Sequence, residues 1–145
     1  MTIIKKSTLI NASIEELETV LTDAHRLPEW YPGVTMVDPS PGYPLEVGST
    51  CTLTYKAAGV TMESKFTTLE CIPQTKLVFQ MGGMITGTNQ WDMAQEGDGT
   101  RLTVTIDYDM AGGGLGKIAD KLIVERMNDK NAAASLENLK AMLEY

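Results

Sequence analysis

The stretch Gly112–Tyr145, GGGLGKIADKLIVERMNDKNAAASLENLKAMLEY, decides how the rest of the chain is read. After Gly116 it contains neither proline nor glycine, and a helix from Leu115 to Leu143 would run roughly 40 Å at ~1.5 Å per residue, enough to cross a small domain. Ile118, Leu122, Ala132, Leu136, Leu139 and Leu143 fall on one stripe at alternating spacings of three and four, the pattern of a helix laid against a surface. Glu125 and Asp129 continue that spacing, and Arg126 sits beside them. Ionised groups are costly in hydrocarbon, so the middle of the helix is expected to face water, a partner charge or a polar-lined cavity. The glycines ahead of the helix, Gly112, Gly113, Gly114 and Gly116, are not followed by the Lys-Ser/Thr of a phosphate loop and read as a hinge.

Upstream, the hydrophobic period is two. Cys51, Leu53 and Tyr55 alternate with threonines and Lys56; Met62, Ser64 and Phe66 alternate with Glu63 and Lys65; Leu77, Phe79 and Met81 follow Pro73. Asn89, Trp91 and Met93 share one side of the next run, unless Gly87 marks a bulge that reverses the parity. The last run is the cleanest, with Leu102, Val104, Ile106 and Tyr108 alternating with Arg101, Thr103, Thr105 and Asp107. Gly97-Asp98-Gly99-Thr100 before it is a hairpin signal, because Asp-Gly accepts the left-handed angles of tight turns. Thr2–Ile10 reads as a first strand. Ser13 with Glu16 fits a capping box ahead of an apolar face of Ile14, Leu17, Val20 and Leu21, and a second helical turn is expected between Asp23 and Trp30. Five of the six prolines fall between Pro28 and Pro44, marking a long surface connection with a brief edge strand at Val34–Val37. Short turns between successive strands imply antiparallel pairing, and a helix long enough to cover one face of the sheet follows it.

The totals limit function. The 145 residues suit a single domain, 1–145, with 43% hydrophobic and 21% charged residues. A net charge of −7 and a pI near 4.6, without any basic run, argue against nucleic acid or an anionic membrane surface as partner. No apolar run approaches the ~20 residues of a spanning helix, and the N-terminal residues lack the apolar core of a signal peptide, so a cytoplasmic location is expected. Cys51 and Cys71 are the only cysteines and read as two thiols; neither a metal site nor a cofactor is expected. His25 is the only histidine, so any histidine-dependent triad would have to pass through it.

Three local stretches carry a resemblance across nearly the whole chain: Leu27-Pro28-Glu29-Trp30-Tyr31-Pro32-Gly33-Val34, Gly97-Asp98-Gly99-Thr100-Arg101-Leu102, and Ser135-Leu136-Glu137-Asn138-Leu139-Lys140 with Leu143-Glu144. In this order and spacing the chain resembles the START-related, polyketide cyclase/dehydrase-like superfamily. The resemblance implies an α+β helix-grip fold, a curved antiparallel sheet of about six or seven strands wrapped around a long C-terminal helix, with one or two short helices after the first strand. It does not imply one activity. Known members include lipid carriers, coenzyme Q-binding proteins, aromatase/cyclases and chaperone-activator domains.

The residues point to a pocket as well. Trp30, Tyr55, Met62, Phe66, Phe79, Met81, Asn89, Trp91, Met93 and Tyr108 make a set rich in methionine and aromatics, and with Leu122 and Arg126 on the helix they are the candidate ligand-binding residues. The plainer alternative is that they form the core. Arg126, Tyr108 and Glu125 are the candidate catalytic residues, Arg126 as an anion clamp and the others as proton donors or acceptors. Against this, Arg126–Asp129 and Lys121–Glu125 are spaced to pair along a solvated helix face. Three functions stay open: carriage of a lipid, quinone or polyketide-like aromatic; cyclase/dehydrase chemistry; and a protein-interaction domain.

Overall fold

The computed structural model describes residues 2–38, 46–57, 59–83, 85–110 and 121–144. Seven strands, β1 (Thr2–Ile10), β2 (Val34–Asp38), β3 (Thr50–Ala57), β4 (Val60–Ile72), β5 (Lys76–Gly83), β6 (Ile85–Glu96) and β7 (Gly99–Met110), form one antiparallel sheet in the order β1-β7-β6-β5-β4-β3-β2. Between β1 and β2 come α1 (Ile14–Leu21), a 3-10 turn (Ala24–Arg26) and α2 (Leu27–Trp30); α3 (Lys121–Leu143) follows the sheet. With the curled sheet and its C-terminal helix, this is the helix-grip architecture. The expected hinge, and the start of the expected helix at Leu115 and Ile118, lie outside the described residues.

Consecutive strands β1 and β2 occupy opposite edges of the sheet, so residues 11–33 must carry the chain from one edge to the other. They do so as a short helical strap. Ser13 Oγ accepts from the Glu16 amide at 3.2 Å and starts α1, whose Leu17, Val20 and Leu21 are buried. Thr100, fully buried on β7, donates from Oγ1 to the Ala12 carbonyl at 2.9 Å and ties the strap to the sheet.

Two glycines shape the sheet. The β6–β7 turn pivots on Gly97-Asp98, because Glu96 pairs with Gly99 and Gly97 carries the positive φ of +61°. The left-handed residue is thus one position earlier than the Asp-Gly reading expects. At Gly87 (φ +133°) a Cβ would lie 1.9 Å from the Asp107 carbonyl oxygen, so β6 crosses β7 with a closeness only glycine permits. Register is unbroken through Gly87, which corrects the expectation of a possible bulge there. The register shifts lie elsewhere: in β2 between Val34 and Met36, and in β4 between Thr68 and Glu70, where the inward parity switches from Thr68 to Cys71.

The 23 residues of α3, about 33 Å long, bury Val124, Ala132, Ser135, Leu136 and Leu139. Leu122 and Ile123 are about half exposed. Ala132, Leu136 and Leu139 of the expected stripe are buried, but in the first turns the buried residue is Val124 and not Leu122, so there the inward side lies one position before Glu125 and Asp129. Polar ties help to seat the helix. Asn138 Nδ2 donates to the Trp30 carbonyl at 3.0 Å, Lys140 Nζ to the Leu9 carbonyl at 2.9 Å, and Lys6 Nζ lies 3.1 Å from Asp129 Oδ2.

Candidate functional site

Sheet, strap and α3 line a partly open cavity of about 140 Å³. Alternation on the strands supplies its sheet wall: Tyr55 from β3, Phe66 from β4, Phe79 and Met81 from β5, Asn89 and Trp91 from β6, and Tyr108 from β7. The strap contributes Leu21, Leu27, Trp30 and Tyr31, while α3 contributes Asn128 and Asn131. Trp30 packs edge-on against Trp91, with ring centroids 5.4 Å apart at 88°, and Tyr31 stands in the same manner against both, at 6.0 and 6.5 Å. Such pairs are each worth ~0.5–1.5 kcal/mol beyond simple burial, so this corner is stiff. Phe66 and Phe79 form a second, tilted pair at 6.0 Å.

Polar groups in the wall fall into two kinds. Some are satisfied: Trp91 Nε1 donates to Asn89 Oδ1, Asn128 Nδ2 donates to Tyr108 Oη at 3.1 Å, and Ser64 Oγ donates to the Gly82 carbonyl at 3.1 Å. Trp30 Nε1 and Tyr55 Oη are buried with no hydrogen-bond partner among the described residues. Burial pushes the phenols of Tyr31 and Tyr55 well above the ordinary tyrosine value, Tyr108 adding to both and Tyr31 to Tyr55. Tyr108 is raised too; burial is the main cause, the Asn128 hydrogen bond opposes it, and Glu125 and Asp129 reinforce it. All three therefore stay protonated at neutral pH. No lysine, arginine or histidine is among the described lining residues, and Asp23 is the one carboxylate there.

Of the residues expected at the site, Trp30, Tyr55, Phe66, Phe79, Met81, Asn89, Trp91 and Tyr108 border this cavity. Met62 and Met93 are buried but not in its wall. Leu122 and Arg126 are exposed and do not border it, which corrects their expected inward placement; the reason is that the first turns of α3 turn Val124 and Asn128 inward. Glu125 accepts from Thr2 Oγ1 at 2.9 Å, and Asp129 pairs with Lys6 of β1. Both acids thus reach across to β1.

Tyr31, beside Trp30, also borders the cavity, and Asn128 and Asn131 belong to it without having been expected there. A signal for the two asparagines exists in the sequence. The line Val124, Asn128, Asn131, Ala132, Ser135, Leu136, Leu139 is the phase of this helix that keeps every ionisable side chain out. Cys51, in the cavity wall, and Cys71 are free thiols, their pKa values raised mainly by burial, with Glu18 adding at Cys71.

A curled antiparallel sheet closed by a C-terminal helix over an apolar hollow defines a protein of the START-related helix-grip class. The chain belongs to the polyketide cyclase/dehydrase and lipid transport family, whose model matches residues 1–144. Solved structures share the fold. The Zhui aromatase/cyclase from Streptomyces sp. R1128 superposes with a TM-score of 0.81 at 16% identity, over 99% of this chain and 93% of that one. A START superfamily protein from Mycobacterium smegmatis gives 0.78 at 13% identity, over 98% and 97%. A major latex-like protein from Panax ginseng gives 0.74 at 15% identity, over 99% and 98%. At such identities the likeness speaks for the fold alone. No curated protein sequence matches the chain significantly. Among the described residues no helix is long and apolar enough to cross a membrane.

Proposed function

We propose that this protein binds a small hydrophobic or amphipathic molecule, such as a lipid, quinone or polyketide-like aromatic, between its sheet and α3. The observation that carries this is the hollow itself, about 140 Å³ walled by aromatic and aliphatic side chains. Left dry and empty, that volume costs roughly 3 kcal/mol at ~24 cal/mol per Å³, a substantial fraction of a domain's ~5–15 kcal/mol. An apolar guest recovers that loss. The volume is about half of the ~300 Å³ at which ligand pockets commonly begin, so it holds one ring or a short chain segment of such a guest. Native mass spectrometry of the purified protein, kept in non-denaturing buffer, is expected to show a co-purified apolar molecule released on unfolding. Its absence from repeated preparations, together with failure of added aromatics to quench Trp30 and Trp91, would remove the reading.

Cyclase/dehydrase chemistry is the second reading, and the Tyr108–Asn128 contact favours it. Asn128 holds the phenol oxygen at 3.1 Å within the cavity, a fixed position from which a neutral phenol polarises a carbonyl. Arg126 and Glu125 have no part in it, since one is exposed and the other is engaged with Thr2. Tyr108→Phe should abolish turnover of a substrate while leaving its binding within a few-fold; unchanged turnover would exclude the phenol.

A further inference from the structure

We infer that Asn89 is the polar recognition point of the cavity, its side-chain amide nitrogen donating to a hydrogen-bond acceptor on an otherwise apolar guest. The inference rests on the carrier reading above and specifies its ligand. Asn89 stands on the inward face of β6, paired in register with Phe79 of β5 on one side and Ile106 of β7 on the other. All three border the cavity, so a single amide is set between apolar neighbours in its floor. The residue is only 6% exposed. A buried amide is costly unless its hydrogens find an acceptor.

Trp91 fixes which end of the amide faces the guest. An indole N–H can only donate, so the Asn89 atom that meets it is the oxygen Oδ1, and the orientation of the amide follows from that partner. Nδ2 is thereby turned away from Trp91 with both hydrogens unspent. No group among the described residues accepts them, yet Nδ2 is not sealed from contact as Trp30 Nε1 and Tyr55 Oη are. Because β5 and β7 flank the residue, the surface it keeps opens on the cavity. Two free N–H groups call for an oxygen or nitrogen lone pair, as in a ketone, quinone or ester carbonyl. A hydrocarbon or an ammonium group has none to offer. Volume sets the scale of the guest, because a dry cavity of ~150 Å³ in another protein takes up benzene.

Two rings of nearly equal shape test this on the intact chain: acetophenone, which carries the acceptor, and ethylbenzene, which lacks it, titrated at pH 7 by ligand-observed NMR. Asn89→Leu removes the donor, and Trp91→Phe removes only the internal partner of the amide; folding of each is checked by circular dichroism. The affinity of acetophenone relative to ethylbenzene should fall about fivefold in Asn89→Leu, the size of one net hydrogen bond, and stay within twofold of the parent in Trp91→Phe. If Asn89→Leu does not fold, the double variant Asn89→Leu/Trp91→Phe, which leaves neither partner unpaired, is compared with Trp91→Phe instead. A ratio unchanged within twofold on losing Asn89 overturns the inference, since the amide then serves Trp91 alone. An equal fall in Trp91→Phe overturns it too, and either result leaves the carrier reading standing. Failure of both rings to bind the folded parent chain overturns the carrier reading and this inference together.

Discussion

At the scale of single residues, the site depends on side chains whose roles are set by contacts far away in sequence. Gly87 is the clearest. A methyl group there would sit 1.9 Å from the Asp107 carbonyl oxygen and 2.9 Å from the Tyr108 Cα, at a φ of +133° that side chains avoid. Gly87→Ala should therefore cost at least ~3 kcal/mol or prevent folding, read by urea denaturation, and the loss should extend to the Tyr108 corner of the cavity. The sequence announces a glycine in a strand but cannot say whether it marks a bulge or a close crossing. Those differ only in what the neighbouring strand does. Trp30 and Tyr55 are legible as apolar bodies with polar tips, whereas the absence of a partner for those tips exists only once the fold has placed every other polar atom.

At the scale of elements, the strands were the legible part. Period-two alternation such as Leu102, Val104, Ile106 and Tyr108 needs no partner to be read, since a one-residue error would bury Arg101 and Thr103 instead. Helix phase is harder. Successive residues on α3 differ by ~100°, so the stripe through Leu122 and the one through Val124 are both apolar at their C-terminal half and part only where the charges begin. Charge settles it, because the line through Val124 and Asn128 buries no ionised group and the other buries two. A pair of substitutions tests the phase. Val124→Lys should destabilise by about 3 kcal/mol or more, as a charge forced into the core, while Leu122→Lys, half exposed, should stay within ~0.5 kcal/mol. Equal effects in chemical denaturation would refute the assigned rotation.

For the molecule as a whole, three buried phenols link stability to alkaline pH. The pKa values of Tyr31, Tyr55 and Tyr108 are all raised in the folded state. A raised phenol favours the neutral form, so its contribution is fully present below the unfolded-state value of ~10 and is lost as pH climbs through the folded-state values. Tm should therefore hold to about pH 9.5 and fall above pH ~10, and Tyr55→Phe should flatten that fall. A phenolate absorbance titration on the folded protein should show these tyrosines ionising late. A Tm profile that declines equally in Tyr55→Phe would detach Tyr55 from the effect.

The placement of β1 and β2 at opposite edges has a consequence for biosynthesis. Thr2 pairs with Tyr108 and Ile10 with Thr100, so β1 leaves the ribosome roughly a hundred residues ahead of its only neighbour in the sheet. At ~5–20 residues per second it waits about 5–20 s with an unpaired backbone. During that interval Ile4 and Ile10 have no β7 to cover them. A nascent-chain holdase would find its natural target there.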